Sequence, residues 1–415
     1  MACIAMLGYG TVGSGVAELI YKNRDRFKKN LNEELVLSKI LVRDINKHKE
    51  KNKDYNILTN DIDEIFNENV DIVIEAMGGV NPSYEYVKRA LLLKKHVVTA
   101  NKDLIAEYGA ELLDIANKNG VELRFEASVG GGIPILKSLS ECLVGNRIKS
   151  IKAILNGTTN FILSKMSKEN MNYNDALKLA QKLGFAEANP ESDVMGYDAA
   201  RKLSILSTIA FEKRVNWRNI KISGITNIDT EDFKYAQREG CEIKLVAMSE
   251  LQNEELYATV SPVMVRKNST LGRTENEYNA ILVDGDAVGD VVFTGKGAGM
   301  FPTASAVFSD IADIIQSKKE STMIFNYDKA DVNILWKRES KWLLRIKTEE
   351  RIKAMEALSE YFSSCSIISK ELYNLDGEVA AFVKSQNEAV LDRFIDDIKE
   401  RINTKEIKKI LILED

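Results

Sequence analysis

Short apolar runs, each followed by a stretch with helical spacing, recur through the first third of the chain. The run CIAMLGYG ends in glycine, and in TVGSGVAELIYKNRDRF the apolar positions Val12, Val16, Leu19 and Ile20 share one helical face. LVLSKILVRD, VDIVIEAMGG, HVVTANK and ELRFEASVGG repeat the short β-rich pattern, with helical segments between them. Strands apolar on both faces and joined by helices predict an α/β fold whose residues 1–134 form a Rossmann-type, doubly wound parallel sheet.

After Ile151 the pattern changes. IKAILNGTTNFIL reads as strand, turn and helix, and YNDALKLAQKLGF and YDAARKLSILSTIAF as helices. EIKLVAMSEL, LYATVSPVMV, NAILVDGDAV and DVVFTGKG read as strands of a mixed or antiparallel sheet. Residues 135–302 therefore read as a central α/β domain, to which the resemblance set out below assigns catalysis and dimerisation. A helix over 303–318, with Thr303 as its N-cap, is expected to pack back on the first domain. Residues 335–415 carry a βαββαβ order, the ferredoxin-like pattern.

Composition narrows the function. The formal net charge of −5 argues against a nucleic-acid partner, which would favour a basic surface. No apolar run reaches the ~18 residues of a membrane helix. Cys3, Cys142, Cys241 and Cys365 lie far apart without a CxxC pair, which points to a reducing compartment, and the first strand begins too early for a signal peptide; the expectation is a cytoplasmic protein. Only two histidines are present. His48 lies in a polar loop and His96 ahead of a strand, and both read as solvated or structural, so lysine or a carboxylate becomes the better candidate for proton transfer.

GYGTVGSG places Gly8, Gly10 and Gly13 in GxGxxG spacing between a strand and a helix. Small residues let the backbone approach a pyrophosphate, and the helix N-terminus offers amides, so dinucleotide binding is expected at Gly8, Gly10, Thr11, Val12 and Gly13. Met77 and Gly78, beyond a later strand, join that candidate set. The next strand ends in LVRD, where Arg43, with Lys47 and Lys49 behind it, can hold a 2′-phosphate; Asp44 would instead hold a ribose hydroxyl. The pattern leans to NADP, with NAD as the alternative. Lys102 in VVTANKDLI sits at a strand end, the crevice where ligands of such sheets lie. The three glycines of EASVGGGIPI suit either carbonyls turned toward a cation or a domain hinge. NGTTN, Asn156 to Asn160, suits a carboxylate or simple capping.

The helix of YDAARKLSILSTIAF carries Lys202 on the stripe that also holds Ile205, Leu206 and Ile209. Asp198 and Lys202 are i, i+4 on one face. At a surface such a pair would contribute ~0.3–0.5 kcal/mol and nothing more. The surrounding Ala199, Ala200, Leu203 and Ala210 leave little polar face, however, and a half-buried lysine with a carboxylate neighbour is a tuned amine able to exchange a proton. Glu187, Asp193 and Asp198 supply carboxylates able to hold a substrate ammonium.

Taken in order, GYGTVG, VVTANK, EASVGGGIPI, LNGTTNFIL, AQKLGFAEANPESDVMGYDAARKL and GKGAGMFPTASAV make residues 1–325 closely similar to homoserine dehydrogenase. That resemblance implies reversible reduction of L-aspartate 4-semialdehyde to L-homoserine with NADPH or NADH, on the route to threonine and methionine. It implies that Lys202 is the proton donor and that Lys102 binds near cofactor and substrate. Glu187, Asp198 and Thr158 would hold homoserine, and Gly184 and Gly297 would lie near the nicotinamide cofactor. A sodium ion would be held by the backbone carbonyls of Glu126, Val129, Gly131 and Ile133. A homodimer is implied as well. The chain departs from the family at Asn189, usually aspartate, and at Met195, often glutamate, which weakens the charge of the substrate pocket. The C-terminal unit is placed like an ACT-type regulatory domain but lacks the aspartate-x-proline-glycine turn, so the resemblance does not extend to threonine binding.

Two other readings compete. Aspartate-semialdehyde dehydrogenase needs a nucleophilic cysteine, for which Cys142 in LSECLVGN is the candidate, although it reads as a helix-core residue. A non-catalytic nucleotide or amino-acid sensor would not need Lys102, Glu187, Asp198 and Lys202 together.

Overall fold

The computed structural model describes residues 1–48, 55–66, 69–316, 328–333, 336–368 and 377–414. The described chain divides into two compact units, one of residues 1–157, 198–220 and 277–330, the other of 158–197, 221–276 and 331–415.

The first unit is built on six parallel strands: β1 (Ala2–Leu7), β2 (Leu35–Leu41), β3 (Leu58–Thr59), β4 (Ile72–Glu75), β5 (His96–Thr99) and β6 (Leu123–Arg124). They run in the order β3-β2-β1-β4-β5-β6. Ile4 to Leu7 in β1 and Ile72 to Ile74 in β4 are buried, as strands covered on both faces must be. Strand order reverses between β1 and β4, and a sheet of this kind binds its ligand in the crevice beyond that reversal. The doubly wound sheet is therefore as expected, although ELRFEASVGG yields only the two-residue β6 before the chain turns into a short helix at Glu126–Ser128.

Helix Thr11–Lys22 buries Val16, Ala17 and Ile20 against this sheet, in a core shared with Ala304, Val307, Phe308 and Ile311 of helix Met300–Gln316. Phe308 stacks on Phe27 at 4.5 Å between ring centroids. Helix Met300–Gln316 starts earlier than its sequence suggested. Thr303 is not its N-cap: its N–H donates to Gly299 O at 3.1 Å, inside the first turn. Gly299, at φ +120°, makes the entry, and Pro302 is tolerated because the N–H it lacks would be unpaired in a first turn. Residues 317 and 318 of the expected helix lie outside the described residues, as does Lys49.

Also in the first unit, strand Ile148–Ile154 pairs antiparallel with Tyr278–Gly285, which pairs antiparallel with Gly289–Lys296. Cys142 differs from its sequence reading. Leu143 N donates to Ser138 O at 2.8 Å, a wide helical turn that buries Leu139 and leaves Cys142 exposed rather than in a helix core.

In the second unit, Cys241–Gln252 and Glu255–Arg266 form a long antiparallel pair. Lys221–Ile222 and Val332–Asn333 lie parallel beside the latter strand, so the sheet is mixed. The C-terminal segment adds Ser340–Thr348, helix Arg351–Tyr361, Cys365–Ile367, Glu378–Ser385, helix Glu388–Arg401 and Thr404–Leu413. Its strands are antiparallel, with the last and first adjacent and the third between the first and second, the ferredoxin-like arrangement. The start of the expected domain, residue 335, and much of SIISKELYN lie outside the described residues. Val263–Val265 pairs in parallel with Leu411–Leu413, which joins this segment to the long antiparallel pair. Arg345 also ties the segment to the start of helix Thr230–Arg238: it donates to Asp229 and Asp232 from one nitrogen and to Glu378 from the others.

No helix among the described residues is long and apolar enough to cross a membrane.

Candidate active site

The helix beginning at Lys102 starts where β5 ends. Asn101 caps it, its Oδ1 accepting from Leu104 N at 3.1 Å, and Gly120 in the left-handed region ends it. Lys102 is thereby fixed in the first turn, at the crevice end of the sheet. Helix Tyr197–Phe211 carries Asp198 and Lys202 one turn apart. The two helices bring the three charges together. Asp198 Oδ2 accepts from Lys202 Nζ at 2.8 Å, and Oδ1 stands 3.3 Å from Lys102 Nζ.

Sequence reasoning missed the groups that hold this trio. Lys202 Nζ also donates to Leu155 O at 2.9 Å, and Asn156 Nδ2 donates to Asp198 Oδ2 at 2.9 Å. The turn NGTTN suits a carboxylate, and here the carboxylate that Asn156 takes is the protein's own Asp198. Glu75, fully buried at the end of β4, accepts from Met77 N at 2.9 Å and Gly78 N at 3.2 Å and from the hydroxyls of Ser83 and Thr99. It also receives the Asn101 amide at 3.5 Å, so one carboxylate orders both the Met77–Gly78 turn and the cap that sets Lys102. A lone apolar-run glutamate gives no local signal of such a role.

Electrostatics follow from burial. Asp198 is 6% exposed, and burial alone would raise its pKa. Lys202 and Lys102 outweigh that and hold the carboxyl well below the usual carboxylate range. Burial pulls the Lys102 amine down, but Asp198 and Asp103 more than compensate and leave it above the ordinary lysine value. The carboxylate is therefore ionised and at least one ammonium is firmly charged.

The glycine fingerprint has the shape a dinucleotide needs. A Cβ on Gly8, whose φ is +98°, would fall 2.8 Å from Ala76 O, and one on Gly13 would fall 2.3 Å from Gly8 O. A Cβ on Gly10 would meet nothing within 4 Å, which leaves the N-terminus of helix Thr11–Lys22 open to a phosphate. Thr11 is exposed and Val12 half-buried beside it. Arg43 is exposed past the end of β2, while Asp44 accepts from Asn46 N at 2.9 Å and closes a local turn.

In the glycine-rich turn, Gly130 and Gly131 have φ of +74° and +55°. Glu126, Val129, Gly131 and Ile133 are all buried. The Glu126 side chain is turned to the following segment, accepting from Leu136 N at 2.9 Å and Lys137 N at 2.7 Å, while its carbonyl accepts from Val129 N at 3.3 Å. Among the described residues no group of three or more His, Cys, Asp or Glu could hold a metal. Gly131 packs on Gly297: a Cβ there would fall 2.5 Å from the Gly297 carbonyl.

The remaining candidates belong to the second unit. Thr158 Oγ1 donates to Phe185 O at 2.6 Å, and Gly184 turns the chain at φ +78° just before it. Glu187 is exposed, its carbonyl accepting from Gln181 Nε2, and Asp193 is half-buried in the short helix Glu191–Val194. Neither histidine is placed for proton transfer. His96 Nδ1 accepts from Glu122 N, with burial lowering its pKa, and His48 packs edge-on against Tyr9.

Comparison with known proteins bears on this geometry. A family model described as homoserine dehydrogenase matches residues 134–312, and one described as its NAD binding domain matches residues 8–126. The homoserine dehydrogenase of Bacillus subtilis is 43% identical over 317 residues, covering 76% of this chain and 73% of the relative. The crystal structure of a homoserine dehydrogenase from Thiobacillus denitrificans superimposes with a TM-score of 0.90 at 32% identity, covering 100% of this chain and 98% of that one. A hyperthermophilic archaeal homoserine dehydrogenase in complex with NADPH gives a TM-score of 0.65 at 28% identity, over 77% of this chain and 99% of that one.

Proposed function

The chain belongs to the homoserine dehydrogenase family, and from that premise we propose how its residues interconvert L-aspartate 4-semialdehyde and L-homoserine. The observation that carries the mechanism is the convergence of two lysine amines on the single buried carboxylate of Asp198. A bound nicotinamide cofactor supplies or accepts the hydride. An ammonium has three N–H donors, and Lys202 commits two, to Leu155 O and Asp198 Oδ2. The third is free to meet the carbonyl oxygen, stabilise the negative charge that develops on it and then transfer the proton. In the reverse direction the neutral amine accepts the hydroxyl proton. Lys102, on the other oxygen of Asp198, adds positive charge beside cofactor and substrate. Glu187, Asp193 and Asp198 offer carboxylates to the substrate ammonium. Thr158 has spent its hydroxyl proton on Phe185 O and would act as an acceptor.

The cofactor's pyrophosphate would lie on Gly8, Gly10, Thr11, Val12 and Gly13, with Met77, Gly78, Lys102, Gly184 and Gly297 toward its nicotinamide end. Exposed Arg43, with Asp44 occupied in a turn, favours NADP over NAD. The carbonyls of Glu126, Val129, Gly131 and Ile133 would hold a sodium ion, whose role is to stiffen the turn. A homodimer in the cytoplasm completes the reading. Cys142 sits on an exposed turn, and among the described residues no acid–base group pairs with its thiol, so thioester chemistry gains no support.

Homoserine-dependent reduction of NADP, followed by the absorbance of the reduced nicotinamide, tests the reaction. Turnover with homoserine but not with aspartate semialdehyde plus phosphate is expected. The opposite pattern would overturn the reading.

A further inference from the structure

Asn279 is the second residue of the strand Tyr278–Gly285 and is followed by Ala280 and Ile281, both buried. It is itself fully buried, and neither Nδ2 nor Oδ1 has a hydrogen-bond partner among the described residues. An apolar residue would remove the cost of burying an unpaired amide, so stability alone does not explain an asparagine here.

Its surroundings suggest what does. A Cβ on Gly297 would fall 1.9 Å from Asn279 Nδ2, 2.2 Å from Cγ and 2.5 Å from Oδ1. These three near-equal distances mean that the Gly297 Cα rests on the flat face of the carboxamide. On the same peptide, a Cβ on Gly131 would fall 2.5 Å from the Gly297 carbonyl carbon and oxygen and 2.9 Å from Ala298 N. Gly132 N donates to Lys296 O at 3.1 Å, closing the contact. Carboxamide, Gly297–Ala298 peptide and Gly131 thus form one stack without a side chain between them. The register links the stack to the lysines as well. Ala280 faces Ile154, one residue before Leu155, whose carbonyl receives Lys202.

We propose that Asn279 is a positioning residue for the nicotinamide cofactor: its planar side chain sets the height of the Gly297–Ala298 peptide over Gly131, and that peptide in turn sets the cofactor's nicotinamide end. This rests on the reading of Gly297 as a cofactor neighbour. Leucine has similar volume, but its branched end is thicker than an amide plane and must push Gly297 off Gly131. Alanine leaves a gap into which Gly297 can sink. Both keep the unit's apolar surroundings and neither carries an unpaired polar group.

The test is NADPH fluorescence titration of wild type, Asn279→Leu and Asn279→Ala, with thermal unfolding of each apoprotein. The inference expects Asn279→Leu to unfold no earlier than wild type yet bind NADPH at least tenfold more weakly. Its homoserine KM at saturating cofactor should stay within about twofold. Asn279→Ala should show the same binding loss whatever its unfolding temperature. Variant affinities within twofold of wild type would overturn the inference, as would loss of affinity confined to a variant that has unfolded. The cofactor reading fails separately, by absent NADPH binding in the wild type itself.

Discussion

Replacing Asp198 by asparagine keeps the shape of the side chain and removes the charge that two lysines share. At about 3 Å and an effective dielectric near 20, each ammonium–carboxylate contact corresponds to ~5 kcal/mol before desolvation is counted. Breaking a buried pair by deleting one partner typically costs ~3–5 kcal/mol, because the other charge stays behind. If most of that falls on the transition state, kcat/KM for homoserine oxidation should drop by a factor of ~10²–10³. Lys102 would then lose the main counter-ion that holds its amine above the ordinary lysine value, so its pKa should fall and the pH profile of oxidation should move with it. Stability gives an independent reading. The depressed Asp198 pKa stabilises the fold above the ordinary carboxyl range, and that contribution is lost as pH falls through the folded-state value. The variant should therefore be less stable at neutral pH and should lose less on acidification than the wild type. Steady-state rates across pH, with thermal unfolding in the same buffers, decide it. An Asp198→Asn enzyme with kcat/KM within threefold of wild type and an unmoved pH profile would refute the shared-carboxylate reasoning.

Other outcomes can be checked alongside. Arg43→Ala should raise KM for NADP at least tenfold and leave NAD nearly unchanged; equal changes for both would remove Arg43 from the phosphate site. Gly131→Ala meets both a positive φ and the Gly297 carbonyl, so it should weaken NADPH binding and abolish any stimulation by sodium, read by titration with and without the ion. Lys244 is buried, and burial pushes its amine down to about 8. Charging it therefore costs the folded state below that pH, and the cost fades as pH rises through about 8 toward the unfolded value. Wild type should gain roughly 3 kcal/mol relative to Lys244→Met between about pH 8 and pH 10.5, measured by denaturant unfolding; parallel curves would contradict the assignment.

Much of this was legible in the chain because it is local. A strand ending in glycine before a helix, or a lysine one turn beyond an aspartate on an apolar face, needs no knowledge of distant partners. The doubly wound sheet follows from strands such as IVIE, buried on both faces. What escaped was set by tertiary contact. Asn156 reaches Asp198, and Glu75 the Asn101 cap ahead of Lys102, only because segments far apart in the chain meet there. The early start of helix Met300–Gln316 depends on Gly299 and on close packing against Gly15, where a Cβ would strike Met300. Cys142 looked buried because its neighbours are apolar, yet a wide turn rotated it outward. Asn279 reads as the polar edge of a strand, and only its contact with Gly297 makes it conspicuous.

The central claim is that the Lys202 amine carries the proton, and chemical rescue tests it most directly. Lys202→Ala should bind NADPH and homoserine within a few-fold of wild type while kcat falls by about 10²–10⁴, the usual range for a general acid–base group. Added primary amines should restore activity in proportion to their basicity. A Lys202→Ala enzyme with near-normal kcat would contradict the account.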